Sequence, residues 1–358
     1  MRIAVIGAGV TGLATTYALR QQGQDAWCYE SGVPMGARSV GDTRIFRLAH
    51  DRPELVRWAE QSRTLWDGWS QQAGRPLIGP EGVVVSGEIS SISAAMATAA
   101  VPFDVTDTAP DVPGADPQGP FLIDPSGGVI QAAATGRFLL GKVGTVVREP
   151  ITSITVDAVT ARIVSPSRTE VFDSVVITAG AGTATLAAQV SIGMPLQRSH
   201  HVRFTFPLRD SRRVHPCWMD RSHQWRPGFT TYGLCPRPGF WAVGGNLPDA
   251  EVGEDLDPSE AVERSRQAVT AYVNEQLTGL APYDPATIES VYGDYVAGLS
   301  DGLVAERNGP VLAVSGGNLF KFAPAIGIAL ARSAVDLNVS SELDEVLIPS
   351  STWDPSSP

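Results

Sequence analysis

Lysine is nearly missing from this 358-residue chain. Of its 27 basic residues only Lys142 and Lys321 are lysine; the other 25 are arginine. The basic residues form no cluster and the formal net charge is −11, which makes nucleic acid and anionic membrane surfaces poor partners. Cysteine is also scarce. Cys28, Cys217 and Cys235 are odd in number, far apart, and free of any CxxC or metal-type Cys/His spacing. That pattern predicts free thiols in a reducing cytoplasm and no metal. No apolar run approaches the ~18 residues of a membrane span. No basic leader and apolar stretch precede the opening "MRIAVIGAG", so a cytoplasmic location without a signal peptide is expected. Repeats and low-complexity blocks are lacking too. With 43% hydrophobic and 18% charged residues, the chain has the makings of an ordinary globular protein with room for two domains.

What is present is strongly patterned. Residues 2–6, "RIAVI", form an apolar run of the kind buried on both faces of a sheet. "GAGVTG" follows, with Gly7, Gly9 and Gly12, then the helical stretch "LATTYALRQQG", then the strand "DAWCYE" ending in Glu30. Strand, glycine turn, helix and a second strand with an acid 18 residues beyond Gly12 make a complete dinucleotide-binding unit. Gly7 turns the chain, Gly9 lets a pyrophosphate approach the backbone, and Gly12 lets helix and strand pack closely. The helix N-terminus offers N–H groups and a positive dipole end to phosphate, and Glu30 can accept hydrogen bonds from a ribose.

Two further apolar strands lead to glycine turns: "VVITAGAGT" at 175–183 and "GPVLAVSGGN" at 309–318. Helices are expected at 53–72, at 257–277 after Asp257 and Pro258, and over "PAIGIALARSAVDL" near the end. Residues 79–87, 119–130 and the segments around 195–246 read as strands, 102–120 as loop, and the last ten or so residues as a tail. The economical architecture is α/β (α+β). A discontinuous Rossmann-like domain, 1–77, 128–193 and 290–358, carries an inserted, mainly antiparallel-sheet substrate domain, 78–127 and 194–289.

"GGNLFKFAPAIG", residues 316–327, sets Lys321 between Phe320 and Phe322. A lysine among aromatics is costly to bury unless an anion meets it. The alternative is a surface lysine whose stem lies over the two rings. Arg44 and Arg47 in "GDTRIFR" could likewise be a surface pair near Asp42 and Asp51. His200 and His201 lie in a β-run and read as structural.

Taken in order, "VIGAGVTGLATTYAL", "GDTRIFRLAH", "GGVI", "VVITAGAGT", "MPLQRSHHV" and "GGNLFKFAPAIG" resemble the monomeric sarcosine oxidase family. These are FAD-dependent amine oxidases of the D-amino-acid-oxidase-like group, and the resemblance spans nearly the whole chain. It implies FAD bound by Gly7, Gly9, Val10, Thr11, Gly12, Glu30, Ser31, Arg38, Thr43, Arg44, Gly180, Gly316, Gly317, Asn318, Phe320 and Lys321. It implies a small carboxylated amine as substrate, its carboxylate gripped by Arg47 and Lys321, with Arg44 against the flavin and Tyr232 in the pocket roof. Dioxygen or another acceptor would reoxidise the flavin, and the protein would be a monomer.

Departures from the family are informative. The family's flavin-attachment cysteine falls at Gly293 or its neighbour in "SVYGDYVAG", so noncovalent FAD is expected. The lysine that assists dioxygen falls on Ala242 in "FWAVGGN", and Lys142 lies in the wrong segment to replace it. Two family histidines are replaced, one by Val40 and one by Asn318 or Leu319. The expected activity is oxidation of a C–N bond by hydride transfer, giving an imine. A dehydrogenase slow with oxygen, a tailoring enzyme on a larger amine, and a non-catalytic flavin protein are the alternatives.

Overall fold

The computed structural model describes residues 1–114, 117–194, 196–247, 257–281, 287–296 and 301–344. The chain forms two compact units, Met1–Val40 with Ala133–Arg198 and Tyr292–Pro358, and Gly41–Ala132 with Ser199–Val291. Residues 41–77, expected in the dinucleotide unit, therefore fall in the other one. The reason is pairing: strand Thr43–Phe46 binds Gly128–Gln131 antiparallel, and helix Pro53–Ala73 packs on helix Ser90–Thr98. The expected tail, along with residues 345–358 as a whole, lies outside the described residues.

The first unit is built on a five-stranded sheet in the order Gly302–Asn308, Val311–Gly317, Ser174–Ile177, Arg2–Ile6, Asp25–Tyr29. All neighbours are parallel except the first pair. Ile3, Ala4, Val5, Val175, Val176, Ile177, Leu312 and Ala313 are fully buried, which is why these strands read as unbroken apolar runs. Ile6 is paired with Ile177 on one side and Tyr29 on the other. The chain thus leaves Arg2–Ile6 toward one flank for its next sheet strand and returns on the other flank at Ser174–Ile177. That reversal is the place where open α/β sheets bind ligands, beyond the carboxyl ends of the strands. Helices Val10–Gln21 and Ala323–Asp336 pack together; a Cβ at Gly327 would lie 2.7 Å from the Ala14 carbonyl carbon, so glycine sets how closely they approach. A small antiparallel sheet of Ser153–Val156, Ala161–Val164 and Thr169–Phe172 completes the unit.

The second unit holds an eight-stranded sheet ordered Thr287–Val296, Leu196–Pro207, Phe240–Asn246, Thr230–Leu234, Cys217–Arg221, Val83–Gly87, Phe121–Asp124, Asp104–Thr106. Apart from the parallel pair Cys217–Arg221 with Val83–Gly87, the neighbours with a described register are antiparallel. Period-two alternation sorts its faces. Phe204, Phe206, Trp218, Trp241 and Val243 join Val269, Tyr272 and Val273 of helix Pro258–Gln276 in one core. That helix begins where the sequence indicates, with the Asp257 carboxylate accepting the Ser259 N–H at 2.8 Å. The strand Asp104–Thr106 and the helix Ser90–Thr98 were not apparent from the sequence; the first is three residues on a sheet edge and the second is a run of serine and alanine with little amphipathic signal.

Candidate flavin and substrate sites

In the first unit the three glycine turns meet at the carboxyl ends of the sheet strands. Gly7 has φ +105°, and a Cβ there would lie 2.5 Å from the Thr178 carbonyl oxygen. Thr178 ties the two turns together, its N–H donating to Ile6 O at 2.8 Å and its hydroxyl to Ile6 O at 3.2 Å. A Cβ at Gly12 would sit 1.8 Å from Gly7 O. Gly7 and Gly12 are thus required by the protein's own packing. Gly9 is different: its φ is ordinary, and the nearest atom to a Cβ there is the Ser39 hydroxyl at 3.3 Å. At Gly180, with φ +55°, nothing lies within 4 Å. Gly180 leaves bare backbone open to a ligand, and Gly9 is crowded only by one serine hydroxyl, as a pyrophosphate cradle allows.

Glu30 stands at the end of its strand and is fixed by the backbone. One carboxylate oxygen accepts the Ala8 N–H and the other the Gly32 N–H, each at 2.8 Å. It is held beside the glycine turn, where a ribose acceptor belongs. Ser31 is exposed and Arg38 half-buried on the segment that follows. The same segment supplies a residue the sequence reading missed. Ser39 Oγ accepts the Val10 N–H at 3.0 Å, and Met35 N–H donates to Ala8 O at 2.9 Å, so residues 31–40 fold over the helix start. Val10 therefore spends its amide on the protein, while Thr11 and Gly12 keep first-turn N–H groups that have no intrahelical acceptor.

The third turn answers what Lys321 meets. The side chain is 5% exposed, so it is no surface lysine. Its Nζ donates to Asp301 Oδ1 at 3.1 Å and lies 5.4 Å from the Phe322 ring centroid. Asp301, itself 7% exposed, also accepts from Asn318 Nδ2 at 2.8 Å on the same oxygen. The anion that a buried lysine calls for is present in the protein itself, as the Asp301 carboxylate. Asp301 was hidden because it sits 20 residues upstream, and only the antiparallel return of Gly302–Asn308 on Val311–Gly317 brings it to the turn. Asn318 takes φ +55°, a left-handed conformation asparagine tolerates, which swings the chain from Gly316 and Gly317 into the turn Leu319–Phe322. Phe320 is buried in that turn. Lys142 is exposed, over Tyr17 and Phe138.

The second unit places the remaining candidates. Thr43 is fully buried, with a hydroxyl that finds no hydrogen-bond partner among the described residues, a group for a ligand to satisfy. Its carbonyl accepts from Arg44 at 2.7 Å and from buried Arg203 at 3.0 Å. Arg44 and Arg47 are both half-buried. Arg47 donates to Ala49 O, and the turn it grips is pinned by Asp124, which accepts from Leu48 N–H at 2.5 Å and Ala49 N–H at 3.2 Å. Burial holds the Asp124 carboxyl above its ordinary range, opposed by those hydrogen bonds and the Arg47 charge. Tyr232 lies across from Gly244, where a Cβ would meet its ring at 2.2 Å. Ala242 is fully buried opposite Leu234 and Thr205. Val40 is exposed at 44%. The backbone at Gly293 runs in strand Thr287–Val296, and His201 is partly buried in Leu196–Pro207. No His, Cys, Asp and Glu grouping suits a metal among the described residues, all three thiols are free, and no helix is long and apolar enough to cross a membrane.

Comparison with known proteins agrees with this geometry. Among solved structures of similar fold is NikD, an unusual amino acid oxidase essential for nikkomycin biosynthesis. Its TM-score is 0.83 at 20% identity, over 97% of this chain and 96% of that one. L-proline dehydrogenase from P. horikoshii gives 0.75 at 15%, over 96% and 95%. Glycine oxidase from Geobacillus kaustophilus gives 0.76 at 14%, over 97% and 98%. No curated protein matches the sequence. The DAO family pattern, FAD dependent oxidoreductase, matches residues 2–333. The chain belongs to this family, its cofactor is FAD, and the turns at Gly9, Glu30 and Gly180 suit that cofactor.

Proposed function

We propose that the protein oxidises a C–N bond in an amino acid or N-substituted amino acid. The observations that carry this reading are Lys321, a buried cation at the third glycine turn of a chain otherwise nearly free of lysine, and, within the second unit, half-buried Arg47. FAD, when bound, supplies the acceptor for the hydride leaving the carbon next to nitrogen. Gly9, Gly180, Glu30 and the turn Gly316–Asn318 of the first unit would hold it, and Thr43 of the second unit has a buried hydroxyl that a ligand could satisfy. Arg47 is the principal anchor for the substrate carboxylate, because a guanidinium grips a carboxylate with two parallel hydrogen bonds. Lys321 is the second anchor, weakened by Asp301. Anchoring the carboxylate positions the reacting carbon, and positioning is worth several kcal/mol of barrier. The substrate must present a neutral amine. Helix Ala323–Asp336 begins two residues after Lys321, and its positive end favours negative charge developing nearby. The experiment is anaerobic mixing with carboxylated amines, following loss of the flavin's visible band; a substrate bleaches it and returns the imine's hydrolysis product.

A second reading concerns the electron acceptor. Ala242 is fully buried between apolar and hydroxyl neighbours and supplies no charge to dioxygen reduction. Losing one such cation costs about 3 kcal/mol, or a few hundredfold in rate. We therefore favour reoxidation by air that is slower than reduction by a good substrate. Stopped-flow traces of the two half-reactions test it, and rapid air reoxidation would return the protein to the oxidases.

A further inference from the structure

Side chains of the second unit's large sheet alternate between its two faces. Met219 is paired with Tyr232 on one face, while Trp218 and Asp220 lie on the other, Asp220 opposite Thr231. Helix Pro258–Gln276 covers that second face, its Tyr272 packing with Trp218 in the core. The cover is incomplete: a cleft of about 370 Å³, counted to its open mouth, leads down to Ser86, Trp218, Asp220 and Tyr272, with Trp225 and Gln276 also lining it. Its base is buried and polar, Ser86 being 1% exposed, Trp218 2% and Tyr272 3%. Several polar atoms there are under-used. Trp218 Nε1 and Thr231 Oγ1 are buried with no hydrogen-bond partner among the described residues. The Tyr272 hydroxyl, their neighbour, reaches Asp220 Oδ2 only at 3.5 Å, longer than the roughly 2.5–3.0 Å of a good O–H···O bond. Asp220 Oδ1 is by contrast fully engaged, accepting from Ser222 Oγ at 2.6 Å, Ser222 N–H at 2.9 Å and Ser86 Oγ at 3.1 Å. The carboxylate is anchored by one oxygen and leaves the other for the cleft. Burial pushes the Tyr272 phenol up to about 12, so it stands there as a neutral hydroxyl.

An indole N–H only donates and a carboxylate oxygen only accepts. A group that satisfies both must accept and donate at once, and a hydroxyl is the simplest that does. An ammonium would meet Asp220 and leave Trp218 unpaired; an anion would meet Trp218 and be repelled by Asp220. The aromatic wall is fixed in place. The Trp225 ring makes edge contacts with Phe229 and Tyr272, centroids 4.7 and 5.5 Å away, and its Nε1 donates to Glu275 at 2.7 Å. A rigid, partly exposed indole gives the C–H face of a small ring an apolar surface, and Gln224 and Gln276 offer amides to further hydroxyls. We propose that this cleft binds a neutral polyhydroxyl compound, one hydroxyl seated between Trp218 Nε1 and Asp220 Oδ2 and the carbon skeleton against Trp225. The site lies across the sheet from Tyr232 and stands whether or not the carboxylate-anchor reading does.

The test is titration of methyl α-glucopyranoside into the FAD-loaded protein labelled with nitrogen-15 tryptophan. The Trp218 indole N–H resonance is assigned by its loss in Trp218→Phe. A hydroxyl accepting from that N–H is expected to move the resonance downfield and saturably, with a Kd in roughly the millimolar range of a site with a few hydrogen bonds and one ring contact. Asp220→Asn keeps Oδ1 for Ser222 and sets an N–H donor where Oδ2 was. It is expected to weaken the glucoside by about tenfold or more, the loss of a hydrogen bond to a charged group. Methylammonium chloride, the cationic counter-probe, is expected to leave the Trp218 resonance where it is. No saturable shift up to about 0.1 M glucoside would mean that the cleft holds water only, and overturns the proposal without recourse to any variant. Undiminished affinity in folded Asp220→Asn overturns it too, as does saturation by methylammonium in place of the glucoside.

Discussion

Asp124 shows how one side chain can matter without touching a ligand. It is fully buried and holds the backbone of Leu48 and Ala49, the turn that Arg47 grips through Ala49 O. Arg47→Met is expected to weaken carboxylate ligands by about 2–5 kcal/mol with FAD retained. Asp124→Asn is expected to weaken the same ligands less, while lowering the melting temperature more, because an asparagine offers one acceptor where the carboxylate offers two. Equal effects on binding and stability from both variants would contradict the division of labour. The thiols are a contrasting case. Burial pushes the Cys28 thiol up to about 12 and Cys217 well above its ordinary value, while Cys235 is raised less and is partly exposed. A thiol reagent at neutral pH should therefore label Cys235 alone in the native protein and all three after denaturation. Rapid labelling of Cys28 without unfolding would show its environment to be misread. At this scale the sequence was legible where a residue type was rare. Lys321 drew notice because lysine is scarce, whereas Asp301, Asp124 and Ser39 are common types whose importance comes from partners distant in sequence.

Among the elements, the glycine turn after Arg2–Ile6 separates packing from binding. Gly12→Ala drives a Cβ to 1.8 Å from Gly7 O and should cost at or beyond the ~3 kcal/mol usual for overpacking, lowering the melting temperature of the apoprotein. Gly9→Ala meets only the Ser39 hydroxyl at 3.3 Å, a tight contact relieved by a shift of a few tenths of an ångström, so the apoprotein should lose much less stability than with Gly12→Ala while FAD binds more weakly. If Gly9→Ala unfolds the apoprotein, the bare backbone there has a structural reason after all. The N-terminal strand gives a pH-dependent case. Glu170 accepts from Arg2 and from the Tyr29 hydroxyl, each at 2.6 Å. Burial alone would raise its carboxyl, but those hydrogen bonds and the charges of Arg2 and Arg168 prevail and hold it below the ordinary value. A lowered carboxyl stabilises the fold above its unfolded value of about 4.3 and loses that contribution as pH falls through the folded value. Glu170→Gln should thus cost about 1–3 kcal/mol near neutrality, with a deficit that shrinks in acid. A deficit independent of pH would place the effect in packing. Element identity was easy to read where strands were buried on both faces or helices carried an amphipathic stripe, as at Pro53–Ala73. It was lost at Ser90–Thr98, whose serines and alanines favour no period.

For the whole molecule, the sequence shows a chain that leaves and re-enters one sheet, since three apolar strands each end in a glycine turn. The placement of residues 41–77 was not legible, because only the pairing of Thr43–Phe46 with Gly128–Gln131 decides it. The sequence has no cysteine at Gly293 or its neighbour, where the resemblance would put a flavin attachment, so we expect FAD to be released into the supernatant when the protein is precipitated by acid or heat; flavin fluorescence staying with the denatured chain would contradict noncovalent binding. The central claim is that this FAD-dependent oxidoreductase draws its electrons from a carboxylated amine. The most direct measurement is anaerobic reduction of the bound flavin by matched pairs of amines, each with and without its carboxylate. The account predicts that the visible band bleaches with the carboxylated member of a pair and far more slowly with its partner, and that Arg47→Met removes the difference. Bleaching by both members at equal rates, or by 2-hydroxy acids and no amine, would contradict it.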